Sequence, residues 1–156
     1  MSRTLLIMRH AKAAQSDRGP DAERPLTPRG QADAAAAAAW LQLRGHVPEL
    51  VVCSPARRAR ETWEALSLTA TVHYDRRLYS ADTDDLLDIV REVDDGIGVL
   101  MLVGHNPGLS DLSALLDPAG RELRTSGIAV HALDASWAEF GPGVAPLAET
   151  HTARAS

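Results

Sequence analysis

Apolar and polar positions divide the chain into short uninterrupted apolar runs and longer amphipathic segments. Residues 5–8 (LLIM) form a run suited to a strand buried on both faces and too short for a buried helix. ELVVCS at 49–54, VLMLVG at 99–104 and SGIAVHAL at 126–133 read as strands in the same way, and TVHY at 71–74 as a weaker one. Between them the period lengthens. Thr27 suits an N-cap, Pro28 a first turn and Gly45 the stop of a helix through QADAAAAAAWLQLR. ARRARETWEAL, after Pro55, sets Trp63 and Leu66 on one face, and DTDDLLDIVREV spaces Leu86, Leu87, Ile89, Val90 and Val93 near helical period. Gly104 ends its strand, and Asn106-Pro107 can cap a helix over 108–116.

Strands alternating with helices predict βαβ units, hence an α/β fold: a three-layer sandwich, a mostly parallel sheet with helices on both faces. One domain is expected over 1–140. SGIAVHAL is its last expected strand, and the Gly/Pro/Ala-rich segment 141–156 is expected to be a flexible tail. Residues 11–26, polar and holding Gly19, Pro20 and Pro25, read as a loop. The alanines at 34–39 read as a tightly packed helix face.

Composition narrows the class. A net charge of −5 and a pI near 5.6 argue against a broad nucleic-acid footprint, although a cleft can still focus positive potential. The single cysteine, Cys53, excludes an intramolecular disulfide and fits a reducing compartment. The opening apolar run is too short for a signal peptide and nothing approaches a membrane span, so a cytoplasmic location with neither nucleic-acid nor membrane partner is expected.

The chemistry gathers at strand ends. In open α/β sheets ligands bind beyond the carboxyl ends of the strands. Here the first strand delivers Arg9-His10, the second Ser54-Pro55-Ala56-Arg57-Arg58 and the fourth Gly104-His105-Asn106-Pro107. A lone histidine after a strand is most often structural, but a parallel sheet brings these three ends together. Two imidazoles and two guanidiniums in one place repel unless an anion joins them. Phosphate is the anion that arginine's planar fork binds bidentately.

Arg9-His10-Ala11 after a strand, Ser54-Pro55-x-x-Arg58-Ala59-x-x-Thr62 and Gly104-His105-Asn106-Pro107 together resemble the histidine phosphatase superfamily. RHAK, RPLTPRG and SPxxRAxxT are similar to the small SixA-type phosphohistidine phosphatases, and the likeness runs from about Arg3 to Leu133. It implies a phosphoglycerate-mutase-like fold and phosphoryl transfer through a phosphorylated histidine, with no metal and no cofactor. Ala11 departs from the glycine common in the superfamily. The resemblance makes His10 the nucleophile, Arg9 and Arg58 the clamp on the phosphoryl oxygens, and His105 a further donor drawn toward its protonated form by the dianion. Arg24, in RPLTPRG, is a candidate substrate-binding residue from the loop, with a surface arginine as the alternative. Lys12 is left to the rim, Arg57 and Arg60 to solvent, and Thr62 to its own helix. His46, His73, His131 and His151 carry no motif.

Rival readings are weaker. Cys53-Ser-Pro-Ala-Arg-Arg does not fit a cysteine-phosphatase loop, because Ala59 stands where the wrapping arginine belongs, and a buried inert thiol fits better. Asp82 is the nearest candidate acid, or simply a helix cap. Only 46 residues separate Arg58 from His105, leaving no room for a lid. A P–N bond to imidazole needs less protonic help than an alkoxide, so the expected substrate is phosphohistidine on a protein partner. The alternatives are a phosphomonoesterase acting on a small metabolite phosphate and a non-catalytic phosphoprotein-binding module.

Overall fold

The computed structural model describes residues 2–15 and 19–155, so residues 16–18 of the expected loop lie outside the described residues. Six strands form one sheet: β1 (Arg3–Arg9), β2 (Leu50–Cys53), β3 (Thr71–Tyr74), β4 (Val99–Gly104), β5 (Gly127–Leu133) and β6 (Leu147–Thr152), in the order β3-β2-β4-β1-β5-β6. The first four are mutually parallel, whereas β5 runs antiparallel to β1 and β6 antiparallel to β5. Helices α1 (Pro28–Arg44) and α2 (Arg57–Leu66) cover one face, and α3 (Thr83–Arg91) and α4 (Gly108–Leu116) the other.

Alternation along β1 shows why its run is wholly apolar. Leu5 and Ile7 join the core under α3 and α4, while Leu6 and Met8 join the core under α1 and α2. The alanine face of α1 packs as expected: Ala34, Ala37 and Ala38 are buried, and Ala37, Ala38 and Leu41 share one core with Ala59, Trp63 and Leu66 of α2.

The sheet is mostly parallel, with its antiparallel strands at one edge. The strand after α4 does not continue the parallel sheet. The segment after Leu116 climbs back to the carboxyl edge, where Ser126 N–H donates to His10 O (3.1 Å), so β5 starts at that edge and runs the other way. One expectation is corrected: order does not end with Leu133. The segment expected to be a tail contains β6, whose Glu149 bonds His46 (2.7 Å) and Arg44 (2.9 Å), and whose His151 stacks on Trp40 at 4.5 Å between centroids. Trp137 and Phe140, before it, are fully buried.

The RPLTPRG segment straps the chain that follows His10. Thr27 N–H donates to Lys12 O (2.9 Å), and Thr27 Oγ1, the N-cap of α1, accepts from Gly30 N–H (3.0 Å). Gly30 is required there: a Cβ would stand 2.2 Å from Lys12 O.

Candidate functional site

The carboxyl ends of β1, β2 and β4 converge as the parallel register demands. Arg9 pairs with Gly104, and His10 N–H continues the ladder to Gly104 O (3.0 Å), as Ser54 N–H does to Val103 O (2.9 Å). The rings of His10 and His105 end 5.2 Å apart between centroids. Arg58, in the first turn of α2, is 7% exposed and belongs to the same cluster.

His10 is held for a definite tautomer. Its Nδ1 lies 2.7 Å from Ala11 O, an acceptor only, so Nδ1 carries the proton and Nε2 keeps its lone pair. Ala11 is itself fixed, its N–H donating to Thr62 Oγ1 (2.9 Å) while that hydroxyl donates to Arg58 O (2.7 Å). Thr62 thus bonds within its helix and also ties the two motifs together. His105 Nε2 lies 2.7 Å from Ser54 Oγ, which also accepts from Ala56 N–H (3.2 Å). With the hydroxyl donating to Nε2, the neutral ring carries its proton at Nδ1. Among the described residues, His105 Nδ1, Arg9 Nε and Arg58 Nε are all buried without a partner, a deficit that a bound anion can meet.

Burial, opposed by the Ala11 bond and reinforced by Arg58, Arg9 and Arg24, pulls the His10 pKa down to about 4. Burial, then His10 and Arg58, pulls His105 to about 3, against the opposing charge of Asp21. Both rings are therefore neutral near pH 7 in the free protein. An NMR titration of the His10 ring is expected to have its midpoint at about 4, and a midpoint at the ordinary 6.5 would contradict this environment. The shifts are downward, so the unfolded chain takes up protons first as pH falls through 6.5. Native stability is lost from there down to the folded values of about 4 and 3.

The anion that the cationic cluster requires is partly internal. Asp21, on a one-turn 3-10 helix (Asp21–Glu23), accepts from Arg58 Nη2 (3.0 Å), Arg24 Nη1 (3.0 Å) and Tyr79 Oη. The Tyr79 and Arg24 bonds, with Arg58 alongside, hold its carboxyl far below the usual carboxylate range. Arg24 also donates from Nε to Ala14 O (2.9 Å), so it is anchored in the loop beside the site. Neither Asp21 nor Tyr79 was marked by a motif. The available signals were a carboxylate three residues before the loop arginine, and a tyrosine in the short turn after β3.

The remaining side chains divide cleanly. Asp82 is the N-cap of α3 in a capping box with Asp85, and lines a cleft of about 300 Å³ with Tyr79, Ser80 and His105. Arg57 pairs with Glu61 (2.9 Å), and Arg60 donates to Pro55 O (2.9 Å). Cys53 is fully buried and its thiol is pushed up to about 12 by burial, as an inert core residue should be. His131, also buried, is satisfied between Ser113 Oγ and Ala145 O, each at 2.7 Å.

The histidine phosphatase superfamily (branch 1) profile matches residues 5–93. The chain belongs to the histidine phosphatase superfamily, and its sheet and helices have the phosphoglycerate-mutase-like arrangement of that group. An uncharacterised protein of Mycobacterium tuberculosis is 35% identical over 94% of this chain and 100% of its own length. Among solved structures, a SixA-type protein from Nakamurella multipartitia is 33% identical, with a TM-score of 0.88 over 98% of this chain and 97% of its own. The protein histidine phosphatase SixA complexed with tungstate is 26% identical, with a TM-score of 0.83 over 96% of each chain.

Proposed function

We propose that this phosphatase removes the phosphoryl group from phosphohistidine on a protein, with His10 as nucleophile. The observation that carries the reading is the tautomer of His10: its Nδ1–H is committed to Ala11 O, leaving a neutral Nε2 among Arg9, Arg58 and His105. Nε2 attacks phosphorus while the P–N bond to the substrate imidazole breaks, and the departing nitrogen takes a proton from water. Water then attacks the phosphoryl-His10 bond, releasing inorganic phosphate and restoring the ring. Covalent catalysis of this kind replaces one hard displacement with two easier ones. Arg9 and Arg58 stabilise charge on the equatorial oxygens, His105 donates from Nδ1, and Arg24 adds positive potential from the loop.

Substrate preference follows from what the site offers a leaving group. Asp21 is held ionised by its donors and Asp82 is engaged in capping, so neither is suited to protonate an alkoxide. A P–N bond makes no such demand. The two solved relatives described as SixA-type support the same class of substrate. Metal has no place in the step, because Arg9, Arg24 and Arg58 repel a cation from the histidines.

The test is phosphate release from a phosphohistidine-bearing protein, p-nitrophenyl phosphate and 3-phosphoglycerate, each with and without EDTA. The phosphohistidine protein is expected to be the best substrate, with EDTA without effect. Preference for 3-phosphoglycerate would favour a metabolite phosphatase, and no release from any substrate would favour a binding module. Loss on chelation with recovery on a divalent ion would overturn the metal-free chemistry.

A further inference from the structure

Arg58 is gripped by one end of its fork. Its Nη1 donates to the backbone carbonyl of Asp21 (3.0 Å) and its Nη2 to Asp21 Oδ2 (3.0 Å), so a single residue occupies both terminal nitrogens. The side edge is different. A guanidinium presents Nε–H alongside one Nη2–H on that edge, and Arg58 Nε is buried with no partner among the described residues. One edge is thus filled by protein, while the other keeps a buried donor whose hydrogen bond a second bidentate acceptor could supply.

Tyr79 completes the grip. Its hydroxyl donates to the same Asp21 Oδ2, its ring lies under the Arg58 guanidinium with Cζ 5.9 Å from the centroid, and its edge meets His105 at 5.5 Å and 71°. Tyr79 therefore touches the carboxylate, the arginine and the second histidine at once. Asp21 is held in turn by Arg24, which is tied to Ala14 O.

We propose that Asp21 and Tyr79 are positioning residues, fixing Arg58 by the end of its fork so that the side edge is presented to the phosphoryl group. The inference rests on the phosphatase reading above and specifies how the site is organised before substrate arrives. A free arginine side chain loses rotamer freedom when it is fixed on a ligand, and a donor already in place needs no reorganisation during the reaction. The Tyr79 and Arg24 bonds, with Arg58 alongside, hold the Asp21 carboxyl ionised well below the usual carboxylate range, so mild acid does not loosen the grip. The rival role for the same carboxylate is an internal competitor that covers Arg58 until phosphate displaces it. The two roles predict opposite effects of removing it.

The experiment measures kcat/KM on the phosphohistidine protein and on p-nitrophenyl phosphate, with the Kd for inorganic phosphate by calorimetry. The proteins are wild type, Asp21→Ala, Arg58→Ala, the double variant, Tyr79→Phe and Tyr79→Ala, with thermal melts as folding controls. Asp21→Ala is expected to lower kcat/KM about 10- to 100-fold, the scale of a small misplacement of a catalytic group, and to weaken phosphate binding. In the Arg58→Ala background the same change is expected to cost less than about twofold, because the group it positions is gone. Tyr79→Phe, which keeps the ring on Arg58 and His105, is expected to retain more activity than Tyr79→Ala. Additive losses at Asp21 and Arg58 would overturn the proposal in favour of a general structural role. Tighter phosphate binding with an unchanged or higher rate in Asp21→Ala would overturn it in favour of the competitor. Absence of turnover in the wild type would sink the phosphatase reading instead. The positioning inference would then be decided by phosphate Kd alone, which must weaken in Asp21→Ala and not change further in the double variant. Failure of the wild type to bind phosphate would overturn both.

Discussion

His10→Ala is expected to abolish turnover and phosphoenzyme formation together, while His105→Ala slows both without eliminating them. The two histidines sit 5.2 Å apart between ring centroids and both are neutral, so proximity and protonation do not separate them. Their hydrogen bonds do. His10 commits Nδ1 to a carbonyl, which can only accept, and so must expose a lone pair at Nε2. His105 meets a hydroxyl that can give or take a proton, and its other nitrogen has no partner among the described residues, which suits a donor. Brief exposure to a labelled phosphodonor is expected to give an acid-labile, base-stable phosphoenzyme in the wild type. The label is lost in His10→Ala, since no other group is aligned to receive the phosphoryl. In His105→Ala the rate is expected to fall roughly 10²- to 10³-fold, the cost of one preorganised donor, with slow labelling still detectable. Peptide mapping under alkaline conditions decides the matter: label on His105, or undiminished labelling in His10→Ala, would reverse the roles.

What the sequence discloses depends on whether a feature is carried by contiguous residues. Strands β1, β2 and β4 announce themselves because burial on both faces makes them continuously apolar. Their parallel register then brings Arg9-His10, Ser54 and His105 to one edge without further information. Strand β6 is hidden for the complementary reason. It is an edge strand, LAETHT, whose inward positions Glu149 and His151 are satisfied by Arg44, His46 and Trp40 and not by apolar packing, so no hydrophobic period betrays it. The antiparallel turn of β5 is equally invisible, since a strand following a short helix reads alike in either direction. Within the site, motif spacing marks His10, Arg58 and His105. It does not mark the Asp21–Tyr79 bond, whose partners are 58 positions apart and meet only because the loop after β1 and the turn after β3 share the carboxyl edge. The crowding of cations was legible as a need for an anion. That the protein supplies part of that anion itself was not.

Arg58→Ala is the second large loss expected. The guanidinium is 7% exposed, keeps Nε unpartnered among the described residues, and adds to the larger effect of burial in lowering the pKa values of both histidines. In a loose phosphoryl-transfer transition state the charge spreads over the equatorial oxygens, where a bidentate arginine is most effective. Arginines serving that role contribute roughly 10³- to 10⁵-fold to the rate, and a loss in kcat/KM at the lower end of that range is expected here, since Arg9 remains. Arg58→Lys is not expected to restore it: a point charge cannot bond Asp21 at two nitrogens and still span two phosphoryl oxygens. Stability should change far less than activity. Removing Arg58 leaves Asp21 half in solvent and still bonded to Arg24 and Tyr79, so no carboxylate is stranded in the core. Steady-state rates beside thermal melts provide the check. A loss below tenfold, full recovery in Arg58→Lys, or a melting temperature that collapses in step with the rate would each deny Arg58 the clamp. A large rate loss in a protein that melts nearly as the wild type does is the expected outcome.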